Sequence, residues 1–185
     1  MSMYALQVMT GMEAEITQKL CGKGVDARCP QERRMIRRGG KWQEQLYTLF
    51  PSYIFVSTPD VYRVYYAARD EDGVLHWLGA TKGTPEALSA REEANILWLA
   101  GDGPLPPSEA EVHADGTLDF TSGPLAHLRD LLEKVNRHDR RATVCVPVGG
   151  EDKTITLSYR LNGRQETVSN AAAGTPRSVN AADIF

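Results

Sequence analysis

Leu49-Phe50-Pro51-Ser52-Tyr53-Ile54-Phe55-Val56 is the stretch whose reading decides the fold. Tyr53, Ile54, Phe55 and Val56 are β-branched or aromatic without a break, and Pro51 sets off the start. The run therefore reads as a strand buried on both faces, at the centre of a sheet. Just upstream, Arg33-Arg34-Met35-Ile36-Arg37-Arg38-Gly39-Gly40-Lys41-Trp42 reads as a hairpin that turns at the paired glycines. Arg33, Arg34, Arg37, Arg38 and Lys41 crowd this turn, with only Glu32 and Glu44 near by, so a basic projection is expected beside the central strand.

Working outward, Tyr4, Leu6 and Val8 alternate with Ala5, Gln7 and Met9, the period of a strand. Thr10-Gly11-Met12-Glu13 has capping-box spacing, and Met12, Ile16 and Leu20 follow at four-residue intervals. This predicts a helix from about Gly11 to Gly22 or Gly24. Residues 25–29 return as a strand. After the central strand, Thr58-Pro59-Asp60 predicts a helix start with Pro at the first helical position, and Val61, Val64, Tyr65 and Ala68 form its buried stripe. Residues 74–78 read as another strand, closed by Gly79. Ser89-Ala90-Arg91-Glu92 is a second capping box, followed by Ala94, Leu97 and Trp98 at helical spacing and by Gly101 as C-cap. The order β, α, β, β, β, α, β, α implies an α+β layer, an antiparallel sheet with packed helices.

Beyond this point the composition changes. Residues 102–115 hold Gly, Pro and acidic residues with no apolar period and read as a flexible linker. In 116–162, alternation at Leu118 and Phe120, at Ala142, Val144 and Val146, and across 154–159 predicts short strands of a small β-barrel. Residues 163–185 are rich in Ala, Ser and Asn and read as a poorly ordered tail. The segment 125–138 carries two periods at once: Leu131, Glu133 and Val135 alternate, while Leu125, Leu128, Leu131 or Leu132, and Val135 form a helical stripe. The barrel is the favoured state because its flanks read as strands.

Composition narrows the function. With 185 residues, 24% charged and 42% apolar, the chain is globular and holds one ordinary domain or two small ones. No apolar run approaches the roughly 18 residues of a membrane span, and Met1-Ser2-Met3-Tyr4 lacks a signal-like n-region, so a cytoplasmic protein with no membrane partner is expected. Cys21, Cys29 and Cys145 lack CxxC spacing, which predicts free thiols and no metal site. A net charge of -3 excludes a generally basic coat but leaves room for local patches. His76, His113, His127 and His138 are scattered, no carboxylate pair has the setting of a general acid and base, and no phosphate loop occurs. No catalytic residue, no cofactor and no enzyme activity are expected.

Several ordered motifs together resemble the NusG family of transcription elongation factors. They are Tyr4 to Glu13, the R-R-G-G-K-W hairpin from Arg37 to Trp42, the L-F-P-x-Y-x-F-V strand from Leu49 to Val56, Gly73 to Gly79, and Leu118 to Leu125. The hairpin looks most like the specialised LoaP-type antiterminators of bacteria with long biosynthetic operons. The resemblance implies an NGN domain over 1–101, the linker, and an SH3-like KOW barrel over 116–162. It implies a monomer that binds the clamp helices of RNA polymerase and suppresses pausing, through Phe50 and Tyr53 with Tyr4 and Leu78 on neighbouring strands. On residue type alone, these four also fit an ordinary core.

For the hairpin, the resemblance implies contact of Arg33, Arg34, Arg37, Arg38, Lys41 and Trp42 with upstream or non-template DNA or with a nascent RNA hairpin. Arg137, Arg140 and Arg141 form a second, weaker patch. A solvated tip is the other reading of the same charges. At the barrel, a ribosomal protein or Rho is the implied partner. A general NusG-type factor and a ribosome-associated KOW protein are the alternatives, and the FPxY strand discriminates against the second. The chain departs from the family pattern at two positions and in the tail past Tyr159, which matches no family motif. Ser52 replaces the usual Gly after Pro51, and Asp130 stands where a KOW Gly of positive φ is expected. A helical, autoinhibitory form of 125–138, as in RfaH-type relatives, is expected as a minority state.

Overall fold

A computed structural model of the chain describes residues 1–79 and 84–162, apart from the side chains of Met35, Arg37 and Trp42. The expected tail at 163–185 lies outside these residues. Four strands, β1 (Ser2–Val8), β2 (Asp26–Arg28), β5 (Tyr53–Thr58) and β6 (Val74–Trp77), form an antiparallel sheet in the order β2-β5-β1-β6. The FPxY stretch thus supplies an inner strand. Between β2 and β5 the chain makes a separate two-stranded hairpin of β3 (Gln31–Arg38) and β4 (Lys41–Thr48), in which Arg38 pairs with Lys41 around Gly39-Gly40. Both glycines have positive φ, 58° and 78°, which suits the tight turn.

Alternation divides β1 and β5 between the two faces of the sheet. Leu6, Val8, Ile54 and Val56 point to one face and pack with Ile16 and Leu20 of α1 (Glu13–Gly22) and with Val64 and Ala68 of α2 (Val61–Arg69). Met3, Ala5 and Phe55 point to the other, where Ile96 and Leu99 of α3 (Ala90–Ala100) meet them. Burial on both faces explains why β5 carries no polar position before Ser57.

The helix boundaries depart from the expectations in small, explicable ways. α1 is capped by Met12 without a side-chain bond. The Glu13 carboxylate instead accepts the N–H groups of Gly11 and Ser52, at 2.9 and 2.7 Å, while the Thr10 and Ser52 hydroxyls pair at 2.5 Å. These groups are drawn away from the helix by the turn before β5, where Ser52 has φ 68°. That left-handed conformation costs a non-glycine residue about 1 kcal/mol, and the bonds to Glu13 and Thr10 offset it. At α2 the N-cap is Asp60, which accepts from the backbone of Tyr62 and Arg63, so Pro59 stands outside the helix. The Ser89–Glu92 capping box of α3 forms as expected, yet the helix buries Ile96 and Leu99 and turns Leu97 and Trp98 outward.

The C-terminal part is a curled five-stranded sheet of order β8-β7-β11-β10-β9. Its strands are β7 (Ser108–Val112), β8 (Leu118–Ser122), β9 (Leu132–Asn136), β10 (Arg141–Val148) and β11 (Glu151–Leu161), with β7 and β11 parallel and the other pairs antiparallel. The segment read as a linker therefore contains a strand. Ser108 and Ala110 face inward while Glu109 and Glu111 face water, so β7 looks merely acidic in sequence. Leu105, before it, is also engaged: its N–H and C=O bond Gln31 and Arg33 of β3, both at 2.8 Å.

The ambiguous segment 125–138 divides. Pro124–His127 is a single helical turn (α4), Arg129–Leu131 a 3-10 turn, and Leu132–Asn136 the strand β9. Asp130 lies in the 3-10 turn and does not need positive φ; that conformation falls on Arg140 instead, at φ 51°. The expected architecture, an α+β sheet with packed helices followed by a small barrel-like sheet, is what the chain forms.

Candidate functional site

One face of the N-terminal sheet is covered by segments distant in sequence. Phe50, Phe55 and Leu78 share a buried apolar cluster with Val144, Val146, Val148, Ile155 and Leu157 of the barrel. The Phe50 and Phe55 rings meet edge to face at 5.2 Å. Tyr53, half-buried, packs at the margin of the same cluster. It is the barrel, not a helical form of 125–138, that closes this face.

Polar contacts ring the apolar centre. Lys153 of β11 donates to the Tyr53 hydroxyl at 3.0 Å and to Glu151 at 2.6 Å, with its ammonium 4.4 Å from the centre of the Tyr53 ring. Burial pulls the Lys153 pKa down, but the bonds to Glu151 and Tyr53 prevail and raise it above the ordinary lysine value. On α3, Glu92 accepts the Gly150 N–H at 3.3 Å across the contact and the Ser89 N–H at 2.7 Å within its own helix. Burial pushes the Glu92 pKa up, and the backbone donors of Ser89, Gly150 and Gly149 outweigh it, holding the carboxyl below its ordinary value. Trp98 of α3 stacks on His127 of α4, with the rings 3.9 Å apart and 7° from parallel.

A third contact joins the hairpin to the barrel. Glu32, fully buried, accepts from the Ser158 N–H at 2.7 Å, from the Ser158 hydroxyl at 2.9 Å, and from Arg34 Nε. Arg34 also donates to the Thr156 carbonyl and lies over the Tyr47 ring, 3.5 Å from its centre. Both charges are buried, and each is satisfied by the other and by β11. Removing one partner of such a pair costs far more than the intact pair contributes.

A family model described as "Transcription termination factor nusG" matches residues 1–97, just over half of the chain. The chain belongs to the NusG family. The transcription termination/antitermination protein NusG of Pseudomonas aeruginosa is 24% identical over 152 residues, which span 82% of this chain and 81% of that protein. NusG of Haemophilus influenzae is 23% identical over 166 residues, 84% of this chain and 90% of its own length. A solved structure described as "Domain interaction in Thermotoga maritima NusG" is 21% identical, covers 85% of this chain and 93% of its own, and superposes with a TM-score of 0.49. By its family model and these relatives, the chain is a NusG-like transcription termination/antitermination factor. Among the described residues no helix is long and apolar enough to cross a membrane, and no His, Cys, Asp and Glu group is placed to hold a metal ion. All three cysteines are free, and burial pushes the Cys29 thiol up to about 11.

Set against the residues expected of a NusG-type partner face, the structure brings Phe50, Tyr53 and Leu78 together and leaves Tyr4 out. Tyr4 is on the opposite side, beside Leu6 and Val8, where its ring meets Trp77 edge-on at 6.2 Å. Met3 and Ala5 occupy the place expected for it. Of the basic residues, Arg38 and Lys41 are exposed at the hairpin tip, and Arg33 is exposed but pairs with Glu44 at 3.4 Å. Arg34 is withdrawn from any nucleic-acid surface by its buried pairing with Glu32. Arg37 and Trp42 hold opposed register positions on β3 and β4, and their side chains lie outside the described ones. Arg137 and Arg141 are exposed and Arg140 half-buried around the β9–β10 turn. Arg141 is in register with Ser158, the residue that binds Glu32, so this second basic group lies beside the hairpin base.

Sequence reasoning missed Glu32, Glu92 and Lys153. A signal existed for the first. Glu32 and Arg34 are two apart on a strand and so share one side of it. Nothing local marks the others as contacts, since Tyr53 and Lys153 are a hundred positions apart in sequence.

Proposed function

We propose that this chain is a transcription elongation and antitermination factor of the specialised LoaP type, which docks on the clamp helices of RNA polymerase through the sheet face of Phe50, Tyr53 and Leu78. Residues 1–101 act as the polymerase-binding NGN unit and the C-terminal barrel as a KOW domain. One observation carries this reading: the sheet buries a second apolar face under α3 and a covalently distant barrel, with separable polar contacts at its rim. Such a face, once uncovered, is an anchor of buried aromatics for an amphipathic helical partner. Nothing covalent is required, because holding the clamp closed is itself the effect on pausing. In the closed arrangement the barrel and the polymerase compete for one surface, so docking on polymerase requires that the barrel leave.

The exposed tip residues Arg38 and Lys41, with Arg33, fit phosphate contacts to upstream or non-template DNA or to a nascent RNA hairpin. The R-R-G-G-K-W hairpin supports the specialised over the general factor. The deciding experiment is titration of core RNA polymerase with Phe50→Ala and Tyr53→Ala. Affinity falls more than folding stability if the face is the binding site. Normal affinity with several kcal/mol of lost stability, the behaviour of a plain core aromatic, contradicts the assignment. For the hairpin, replacing Arg37, Arg38 and Lys41 by Gln flattens the salt dependence of nucleic-acid binding, and an unchanged slope returns the tip to a solvated role.

A further inference from the structure

The barrel is an internal occupant of the face, and its contacts report what that face selects. The Tyr53 ring takes a cation, the Lys153 ammonium, which also donates to the phenolic oxygen at 3.0 Å. Leu78 takes a position with no side chain: a Cβ on Gly149 would stand 2.7 Å from Leu78 Cδ2. Glu92 takes an N–H donor, from Gly150 at 3.3 Å. Its other carboxylate oxygen is already committed to the Ser89 N–H of the capping box.

We propose that Tyr53 and Glu92 are paired donor-selecting subsites for the external protein partner, which presents a Lys or Arg to the Tyr53 ring and an N–H donor to Glu92, with a small residue over Leu78. This rests on reading the face as the polymerase-binding surface. When the barrel leaves, Glu92 keeps one oxygen on its helix and offers the other from a largely apolar setting. An acceptor that a partner covers without supplying a donor loses its hydration for nothing, so apolar or acidic partners are rejected there. The Tyr53 ring adds attraction for a cation that would be weak in open water and grows as water is excluded. A nucleic-acid strand is disfavoured on this face because its phosphates would meet the Glu92 carboxylate.

The test uses the full chain in a Lys153→Ala, Gly149→Ala background, which vacates the Tyr53 ring and undocks the barrel without altering the N-terminal unit, so that Glu92 no longer serves Gly150 and its loss is read on the partner alone. Core RNA polymerase is titrated at several salt concentrations. This background binds several-fold more tightly than the parent chain, because the internal cation and the barrel no longer compete. Adding Glu92→Gln lowers affinity about tenfold, the scale of a lost charge-assisted hydrogen bond, and flattens the salt dependence. Adding Ser89→Ala, which breaks the other half of the capping box, leaves affinity within about twofold, so helix fraying is not the cause.

Equal affinities with and without Glu92→Gln overturn the proposal, as do equal losses from Glu92→Gln and Ser89→Ala. If Phe50→Ala weakens binding while Glu92→Gln does not, the subsites alone fail. If neither substitution matters, the face itself is misassigned. A gain in affinity for a single-stranded DNA oligonucleotide on Glu92→Gln, with polymerase binding unchanged, would identify nucleic acid as the occupant and also overturn the proposal.

Discussion

The two faces of the N-terminal sheet are both buried, yet by different means. One is sealed by α1 and α2, which are adjacent in the chain to the strands they cover, around an apolar interior of Leu6, Ile16, Leu20, Ile54, Val56 and Val64. The other is sealed by α3 and by a barrel from beyond residue 107, and its rim carries Glu32, Arg34, Glu92 and Lys153. Apolar burial beside local connections makes a permanent core. A satisfied polar rim on a distant module makes a contact that water can take over when the module leaves, because each charged group regains hydration. Under the function proposed above, the second face is the exchangeable one.

The comparison breaks most readily on the permanent face. Ile54→Ala leaves a cavity under both helices and costs about 2–5 kcal/mol in denaturant unfolding of the N-terminal unit. Leu78→Ala costs that unit far less, because its main loss is contact with the barrel. Similar losses from the two substitutions would erase the distinction.

Comparable in size is Glu32→Ala. It strands the Arg34 guanidinium, a penalty of about 3–5 kcal/mol if Arg34 stays buried. The protein escapes that cost by undocking the barrel, so rapid amide exchange at Ser158, with the barrel's own strands still protected, is the expected signature. Loss of the whole fold would show that Glu32 belongs to a permanent core after all.

A smaller effect separates the two turn glycines. Gly149 and Gly150 have φ 60° and 78°, so Ala at either strains the turn by about 1 kcal/mol. Only at Gly149 does the added Cβ also meet Leu78, whereas at Gly150 it enters open space. Gly149→Ala therefore undocks the barrel and Gly150→Ala does not, as read from the environment of Leu78 in methyl NMR. Matching spectra for the two would place the clash elsewhere.

The pattern of these contacts shows which parts of the molecule are legible in its sequence. The central strand, the Gly39-Gly40 hairpin, α2, the Ser89–Glu92 capping box and the barrel strands β8, β10 and β11 are written in local patterns, and each forms. Strand alternation already allies Tyr4 with Leu6 and Val8, and the structure follows alternation where the family motif suggested a shared surface with Phe50. Arg34 counted as a surface cation because a charge run reads as solvated, while its burial depends on Thr156 and Ser158, more than 120 positions away. β7 was hidden by its acidic outward positions. Glu92 announced itself as a capping residue, which accounts for only one of its two carboxylate oxygens.

The smallest predicted effect concerns pH. The Glu92 pKa is depressed in the folded protein, so its contribution is present above the ordinary carboxylate pKa and is lost as pH falls through the lowered native value. Acid therefore weakens the Glu92–Gly150 contact, seen as faster exchange of the Gly150 amide as pH falls. An exchange rate at Gly150 that follows only the general pH dependence of exposed amides would contradict the assignment.

The central claim is that the barrel covers the surface that polymerase uses. The N–H groups of Ser158 and Gly150 reach across to Glu32 and Glu92, while the Tyr159 N–H bonds Arg140 within the barrel at 3.0 Å. Amide hydrogen exchange of the full chain, read residue by residue with and without core RNA polymerase, tests the claim most directly. All three amides are protected in the free chain, and on polymerase binding Ser158 and Gly150 become fast while Tyr159 stays slow. Fast exchange at Ser158 and Gly150 in the free chain, or unchanged protection when polymerase is bound, would contradict it.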